Sequence, residues 1–281
     1  MSLTEHSVPH PSGGTVHYWQ AGDPSQRPLL LIHGDYGNAY TQWSEVMASL
    51  SEEYFVVAPD LPGYGQSSSI SPLRLDHLVT WVKQFIRLME FDAVVIVGSA
   101  YGALVARMLT SSDPALIPAL ILINGGIEPD IAPLARALAG IPGVGGFLFN
   151  RIVASMTTRT QLEGLFVNEA VLKPPVTAAI HANRKPLAAL MRGITLSSVP
   201  TLANPPVPVL LLWGENDALV PIRVGEHLQA NMPGSELARI ENCGHLPQIE
   251  LPDVVASQIH LFLKRMARSG RPKGAGMLSL H

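Results

Sequence analysis

The chain has 281 residues, of which 47% are hydrophobic and 15% are charged. A chain of this length and composition can bury a large core, either in one domain with an insertion or in two domains. The formal net charge of -3 provides no basic surface for nucleic acid.

The N-terminal segment, the cysteine content and the hydropathy bear on cellular location. Residues 1–14 are polar and contain Pro9 and Pro11, so they do not resemble a signal peptide. Cys243 is the single cysteine, which excludes an internal disulfide and favours a reducing compartment. No apolar run approaches the roughly 18 residues that a membrane span requires. These features predict a soluble, cytoplasmic protein without a membrane span.

Short apolar runs alternate with stretches of helical spacing in the first half of the chain and again near its end. The predicted strands are an edge strand at 16–20 and further strands at 29–32, 54–58, 93–97, 119–123, 207–213 and 236–240. The predicted helices lie around residues 43–50, 75–89, 223–231 and 252–268. This alternation predicts an α/β fold with a mostly parallel sheet, helices on both faces and function at its carboxyl edge.

Residues 127–206 interrupt the alternation with apolar, weakly charged stretches of helical character. We expect them to form a helical cap over the edge of the sheet; the alternative is a helical subdomain that packs only on itself. The predicted organisation is a core of residues 1–126 and 207–266, a cap of residues 127–206 and a flexible tail of residues 267–281.

A sharp strand-to-helix turn is predicted around Ala100. Gly98 and Gly102 lie two residues to either side of it, after an apolar strand and before a helical stretch. Glycines permit the close approach and unusual dihedrals of such a turn, which usually exposes a serine nucleophile. An alanine side chain has no nucleophilic group, so its exposure at such a turn serves no chemical purpose.

Five segments, in order, resemble the α/β-hydrolase family, in the branch with a helical cap after the sixth strand. Two of these resemble the oxyanion loop and the loop after the fourth strand, one resembles the nucleophile elbow, and two resemble the acid and base segments. They are residues 33–37, 60–67, 98–102, 214–217 and 243–245, and the resemblance covers about residues 15–265. The ordered set is more specific than any one motif.

The resemblance implies a catalytic triad with Ala100 at the nucleophile position, Asp217 as the acid and His245 as the base. A serine hydroxyl needs a histidine to take its proton and a carboxylate to orient that histidine, and the order 100, 217, 245 is the one this fold gives. The alternatives are that Asp217 only caps the next helix and that His245 is an ordinary loop histidine.

Three other residues lie in these segments or after the sixth strand. Glu128, after the sixth strand, is an alternative acid. Ser99 is a candidate substitute nucleophile, but its side chain is expected to point away from the base. His33 is expected to be a structural residue of its loop.

By the same resemblance, the backbone N–H groups of Asp35 and Tyr101 form the oxyanion hole. An aspartate at position 35 is unfavourable beside an oxyanion hole, because a carboxylate turned inward would repel the negative charge that develops on the substrate oxygen. We expect its side chain to point to solvent or to hydrogen-bond within the loop; burial in the pocket would instead raise its pKa and allow it to donate a proton.

The expected ligand is a medium, largely apolar small molecule. The side chains expected to line its pocket are Tyr36, Phe147, Phe166, Met191 and Leu219. Arg184, Lys185 and Arg192 could meet a substrate carboxylate, although solvated surface positions are the simpler interpretation. No cofactor site is indicated, and the scattered histidines do not have the spacing of metal ligands.

Ala100 leaves three explanations open. In the first explanation, the natural protein has serine at position 100 and this chain carries a deliberate serine-to-alanine change that traps a ligand. In the second, the protein is a natural pseudoenzyme that binds a ligand. In the third, His245 acts directly as a base, as in lyase, cyclase or cofactor-free oxygenase relatives. In the first, the scaffold hydrolyses an ester, a thioester or an activated carbon–carbon bond. In all three, the chain as written is expected to be nearly inert in acyl transfer.

Overall fold

The computed structural model describes residues 2–198 and 202–268. Eight strands form one sheet: β1 Thr4–Pro9, β2 Thr15–Ala21, β3 Arg27–Ile32, β4 Tyr54–Pro59, β5 Val95–Ser99, β6 Leu120–Ile123, β7 Val209–Gly214 and β8 Glu236–Ile240. Their order is β1-β2-β4-β3-β5-β6-β7-β8. β2 pairs antiparallel with both β1 and β4, and all later neighbours are parallel. The predicted α/β class with a mostly parallel sheet is therefore confirmed.

Helices cover both faces of the sheet and fill the segment between β6 and β7. Those that flank the sheet or follow its last strand are α1 Ala39–Leu50, α2 Leu75–Leu88, α3 Tyr101–Ser112, α9 Ile222–Ala230, α10 Pro247–Glu250 and α11 Pro252–Arg268. Those inserted between β6 and β7 are α4 Pro133–Gly140, α5 Val144–Met156, α6 Arg159–Glu163, α7 Pro174–Ala182 and α8 Arg184–Leu196, with a short 3-10 helix at Glu169–Val171. We refer to this second group as the insertion.

The period of two along each strand divides the core into two layers. Leu30 and Ile32 are buried in a cluster with α2 and α3, whereas Leu29 and Leu31 are buried in a cluster with α1 and α11. β3 reads as an apolar run because both of its faces are covered by helices, as expected for a central parallel strand.

The insertion packs against the sheet domain as well as on itself. Phe149 and Val153 of α5 and Leu187 and Leu190 of α8 belong to the same buried cluster as the side chains of α2 and α3. The alternative of a subdomain that packs only on itself is therefore wrong.

Two predictions near the chain ends need correction or fall outside the description. The strand predicted at 16–20 is present as β2 but is not an edge strand, because β1 pairs along its outer side. β1 alternates exposed and half-buried residues and contains no apolar run, so its sequence gave no strand signal. Of the predicted tail, residues 267 and 268 end α11, and residues 269–281 lie outside the described residues.

Candidate active site

The turn predicted at Ala100 is present between β5 and α3. Ala100 has φ 49° and ψ -115°, in the region that favours glycine. A non-glycine residue held there costs about 1–3 kcal/mol, which the surrounding structure must offset. The strained turn places the N–H groups at the start of α3 beside residue 100.

Close backbone packing accounts for the glycines of the turn. A Cβ atom at Gly98 would lie 2.5 Å from the carbonyl oxygen of Gly102. A Cβ atom at Gly102 would lie 2.5 Å from the carbonyl oxygens of Ile32 and His33. Both distances are shorter than real contacts, so the turn requires glycine at both positions.

Asp217 and His245 form a buried pair at the carboxyl edge of the sheet. His245 Nδ1 lies 2.8 Å from Asp217 Oδ2, and both side chains are essentially inaccessible to solvent. The other carboxylate oxygen, Oδ1, accepts the N–H groups of Leu219 and Val220, each at 2.8 Å. Asp217 does not cap the next helix, because α9 begins at Ile222.

The second ring nitrogen of His245 is free of protein partners in the described part of the chain. Nε2 is buried and has no hydrogen-bond partner among residues 2–198 and 202–268. Because Nδ1 donates its hydrogen to Asp217, Nε2 presents a lone pair that can take a proton. The ring of Tyr36 packs edge-on against the imidazole at a centroid distance of 6.4 Å.

Asn124, which the sequence analysis missed, fixes the loops that carry this pair. Its Nδ2 donates to Asp217 Oδ2 at 2.7 Å and to the carbonyl oxygens of Gly244 and His245 at 3.0 and 3.2 Å. Its Oδ1 accepts the N–H of Gly214 at 3.0 Å. A polar residue directly after the buried strand β6 was the available signal. Asn124 is a positioning residue for both Asp217 and His245.

The side chain of Asp35 is turned toward the elbow, so the expectation that it points to solvent is wrong, while a bond within its own loop, to its own N–H, is present. It is buried, and its Oδ1 accepts the N–H of Tyr101 at 3.3 Å. Burial raises the pKa of this carboxyl to about 6, although the charge of His245 and the N–H groups of Tyr101 and of Asp35 itself act to lower it. The carboxyl therefore occupies the predicted oxyanion hole.

These features are those of the α/β-hydrolase elbow and of its acid and base loops, and comparison with known proteins agrees. A family model described as the alpha/beta hydrolase fold matches residues 27–252. The chain belongs to the α/β-hydrolase family.

Several known proteins resemble the chain over most of its length. An uncharacterized protein of Mycobacterium tuberculosis is 29% identical over 78% of this chain and 70% of its own length. A 2-hydroxy-6-oxononadienedioate/2-hydroxy-6-oxononatrienedioate hydrolase of Klebsiella pneumoniae is 28% identical over 89% of this chain and 91% of its own length. Haloalkane dehalogenase DbeA from Bradyrhizobium elkani has the same fold, with a TM-score of 0.79 at 19% identity, over 95% of this chain and all of its own. The prediction of an enzyme of the hydrolase superfamily is confirmed.

In this α/β-hydrolase, Ser99 contributes to a buried hydrogen-bond network. Its Oγ accepts from Gln248 Nε2 at 2.9 Å, and the same nitrogen donates to Gln42 Oε1 at 3.0 Å. Gln42 Oε1 also accepts the N–H of Gly34 at 3.0 Å. The network ties the elbow to the oxyanion loop and to the segment after His245. The sequence analysis missed both glutamines.

The five predicted pocket residues are divided between buried and exposed positions. Tyr36 and Phe166 are buried in one apolar cluster beside His245, and Met191 is half-buried on α8. Phe147 is 70% exposed and Leu219 is 44% exposed, so neither lines an enclosed pocket in this structure. α5 buries Phe149 and Val153, which lie on another face of that helix from Phe147.

The remaining sequence candidates have structural partners of their own. His33 is buried, contacts the carbonyl oxygen of Gly34 and accepts the N–H of Leu61, as expected for a structural histidine. Glu128 accepts the N–H of Leu202 instead of pairing with His245. Arg184 donates to Thr157 and Arg192 donates to the carbonyl oxygen of Ala139, while Lys185 is exposed.

Metal sites and membrane spans were the remaining kinds of site that the sequence bears on. Within residues 2–198 and 202–268, no group of three or more His, Cys, Asp or Glu side chains could hold a metal ion. In the same residues no single helix is long and apolar enough to cross a membrane; α4 and α5 would reach the required length and composition only together, and they are bent by 115°.

Proposed function

We propose that the Asp217–His245 pair acts as a general base on a medium, largely apolar substrate, without a covalent intermediate on the protein. The observation that carries the proposal is the buried, unpartnered Nε2 of His245, in a chain whose nucleophile position holds an alanine that cannot be acylated. Such a base typically contributes a factor of about 10²–10⁴ to a reaction rate. Asp217 orients the imidazole and stabilises the imidazolium that forms.

The apolar surroundings of His245 support the substrate class. Tyr36, Phe166 and Leu246 belong to one buried cluster at the base of the insertion. The Klebsiella pneumoniae relative is named for a 2-hydroxy-6-oxo acid, which is a carbonyl compound, and this supports a carbonyl compound as the substrate here. We extend the proposal to the domain division, with residues 127–206 as a cap over the site.

A second candidate is acyl transfer by a serine at position 100, acting on an ester, a thioester or an activated carbon–carbon bond. The observation that favours it is the strained φ of 49° at Ala100, the backbone conformation of a nucleophile elbow. Removing such a serine costs on the order of a millionfold in turnover, or roughly 8 kcal/mol of barrier. In this candidate the chain as written is a trap that binds ligand without turning it over.

Two variants separate these candidates. Ala100→Ser is assayed on short and medium nitrophenyl esters and with a fluorophosphonate probe; labelling and turnover would favour the serine candidate. His245→Ala is assayed in the unaltered background, where loss of activity would support direct base catalysis. If neither variant changes any activity while ligand binding is retained, the protein is a binding protein and both candidates fail.

A further inference from the structure

The carboxyl of Asp35 lies where an α/β-hydrolase of the serine type would hold the oxygen of its substrate. Its Oδ1 accepts the N–H of Tyr101, and the N–H of Asp35 itself also acts on the carboxyl. These are the two N–H groups predicted to form the oxyanion hole. The protein therefore fills the hole with its own acidic side chain.

The loop that carries Asp35 is held by the side chain of Gln42. Gln42 accepts the N–H of Gly34 at 3.0 Å and donates to the carbonyl oxygen of Tyr36 at 2.7 Å. The two bonds hold the backbone on either side of Asp35, and Gln42 is itself buried. The backbone from which the carboxyl of Asp35 projects is therefore held in place.

An ionised carboxylate at this position would repel a developing oxyanion, whereas a protonated one would donate a hydrogen bond to it. Burial is the largest influence on Asp35 and raises its pKa to about 6, so the neutral acid is well populated in mildly acidic solution. A carboxylic acid held neutral by its surroundings is an established way to build an oxyanion site. The O–H of the neutral acid would then donate to the substrate oxygen in place of the N–H of Tyr101, which already donates to the carboxyl.

The phenols around the site remain protonated alongside this acid. Burial, and then the charge of Asp35, raise the pKa of Tyr36 and of Tyr101, and the same two causes raise that of Tyr64. The hydroxyl of Tyr64 is buried and has no hydrogen-bond partner within residues 2–198 and 202–268. Among the described residues, the surroundings of Asp35 thus contain neutral hydrogen-bond donors and, besides Asp217, no carboxylate that affects it.

We propose that Asp35 is a further catalytic residue, a general acid that works opposite His245 on an enolisable carbonyl compound. The inference rests on the proposed function, because it requires His245 as the base. The acid gives its proton to the carbonyl oxygen while Nε2 of His245 removes a proton from the neighbouring carbon. The opposite charges left on the two side chains stabilise each other.

The atoms and electrons of this step balance without a cofactor. The C–H bond next to the carbonyl breaks, its proton moves to Nε2, and its electron pair forms the carbon–carbon double bond of the enol. The carbonyl π pair moves to oxygen, which takes the proton of Asp35. Reversal returns both protons, and in heavy water the proton on His245 exchanges with solvent, so that deuterium enters the substrate.

Hydrogen–deuterium exchange therefore tests the proposal. The probe is 4-phenyl-2-butanone, a medium and largely apolar ketone, followed by NMR with the full chain at pH 5.5 and 7.5. The unaltered protein should accelerate exchange, with a decline above about pH 6 as Asp35 ionises. Asp35→Asn, which cannot transfer a proton, should lower the rate at pH 5.5 by about 10²-fold and remove that decline. His245→Ala should also lower the exchange rate.

Glu128→Gln is the matched control, because Glu128 is a carboxylate outside the site and its loss should leave exchange unchanged. If Asp35→Asn does not fold, the pH profile of the unaltered protein decides, and a rate that does not decline above pH 6 overturns the proposal. If exchange requires His245 but not Asp35, the inference about Asp35 is wrong while the proposed base stands. If the unaltered protein does not exchange the ketone at all, the assigned substrate class is wrong.

Discussion

Two buried aspartate–histidine pairs in the described part of the chain have nearly the same geometry. His245 Nδ1 lies 2.8 Å from Asp217, and His17 Nδ1 lies 2.9 Å from Asp60. Both aspartates also accept backbone N–H groups. A close, buried pair of this kind is therefore no indication of catalysis by itself.

The two pairs differ at the other ring nitrogen. His17 Nε2 contacts Glu5 at 3.4 Å and Gln66 at 3.3 Å, so both sides of its ring are held by the protein. His245 Nε2 has no such partner within the described residues. The first pair ties β2 to the loop after β4, and the second leaves a base available to a ligand.

The largest expected effect comes from removing each histidine in turn. His17→Ala should lower the free energy of unfolding by about 3 kcal/mol, because it leaves the buried carboxylate of Asp60 without its charged partner, and should leave activity unchanged. His245→Ala should abolish activity and cost less stability, since Asp217 keeps three bonds, to Leu219, Val220 and Asn124. Asp60 without His17 keeps two, to Ala39 and Gln66. Urea unfolding measures the change in stability, and the hydrogen–deuterium exchange assay measures the change in activity. If the two variants lost activity equally, the distinction between a structural pair and a catalytic pair would be wrong.

The stability effect of His17→Ala should also depend on pH. The hydrogen bond to Asp60 raises the pKa of His17 above 6.5, so the stabilisation from this group is complete below pH 6.5 and is lost as pH rises through the raised value. Despite burial, the bonds from His17 and from backbone N–H groups lower the pKa of Asp60 below 3.8. The stabilisation that Asp60 contributes is therefore lost as the pH falls through this lowered pKa. The difference between the unaltered protein and the variant should be largest at pH 5–6 and smaller at pH 9.

A smaller effect is expected from Asn124→Ala. The change removes the donor to Asp217 and leaves the N–H of Gly214 and two carbonyl oxygens of the His245 loop without this partner. We expect a loss of about 1–3 kcal/mol of stability and about tenfold of activity, through misplacement of the pair. Asn231→Ala, on the exposed end of α9, is the control. Unaltered activity in Asn124→Ala would show that the pair is positioned without it.

The smallest effect is expected from Glu250→Gln, which tests the link between the insertion and the base. One oxygen of Glu250 accepts the N–H groups of Val167 and Asn168 at 2.7 and 2.6 Å, and the other accepts the N–H of Gly244 at 2.7 Å. Glutamine has only one such oxygen, so one side of the link is lost at a cost of about 1–2 kcal/mol. Thermal unfolding should report this loss, and a melting temperature equal to that of the unaltered protein would contradict it.

Much of the fold could be predicted because local pattern and burial agree. The strand at 236–240 and the helix at 252–268 have the bounds that the sequence predicts. The strand predicted at 93–97 begins at Val95 and continues to Ser99. Ser99 is polar yet fully buried, and its partner Gln248 lies 149 residues away, so no local pattern could reveal it.

The candidate site was predictable in its chemistry and less so in its geometry. The order of the motifs indicates that Asp217 and His245 meet, and they do. The orientation of Asp35 differs from the expectation, because its carboxyl accepts the N–H of Tyr101, which lies 66 residues away along the chain. Asn124 was missed for the same reason, since its partners come from two loops more than 90 residues away.

The positive φ at Ala100 is borne by the backbone, so a methyl and a hydroxymethyl group fit this turn at the same conformational cost. Such a scaffold can gain or lose a covalent step by exchanging one side chain, with little change in its folding energy. New reactivity can then arise on an unchanged framework, and the residues facing position 100 decide which reaction succeeds.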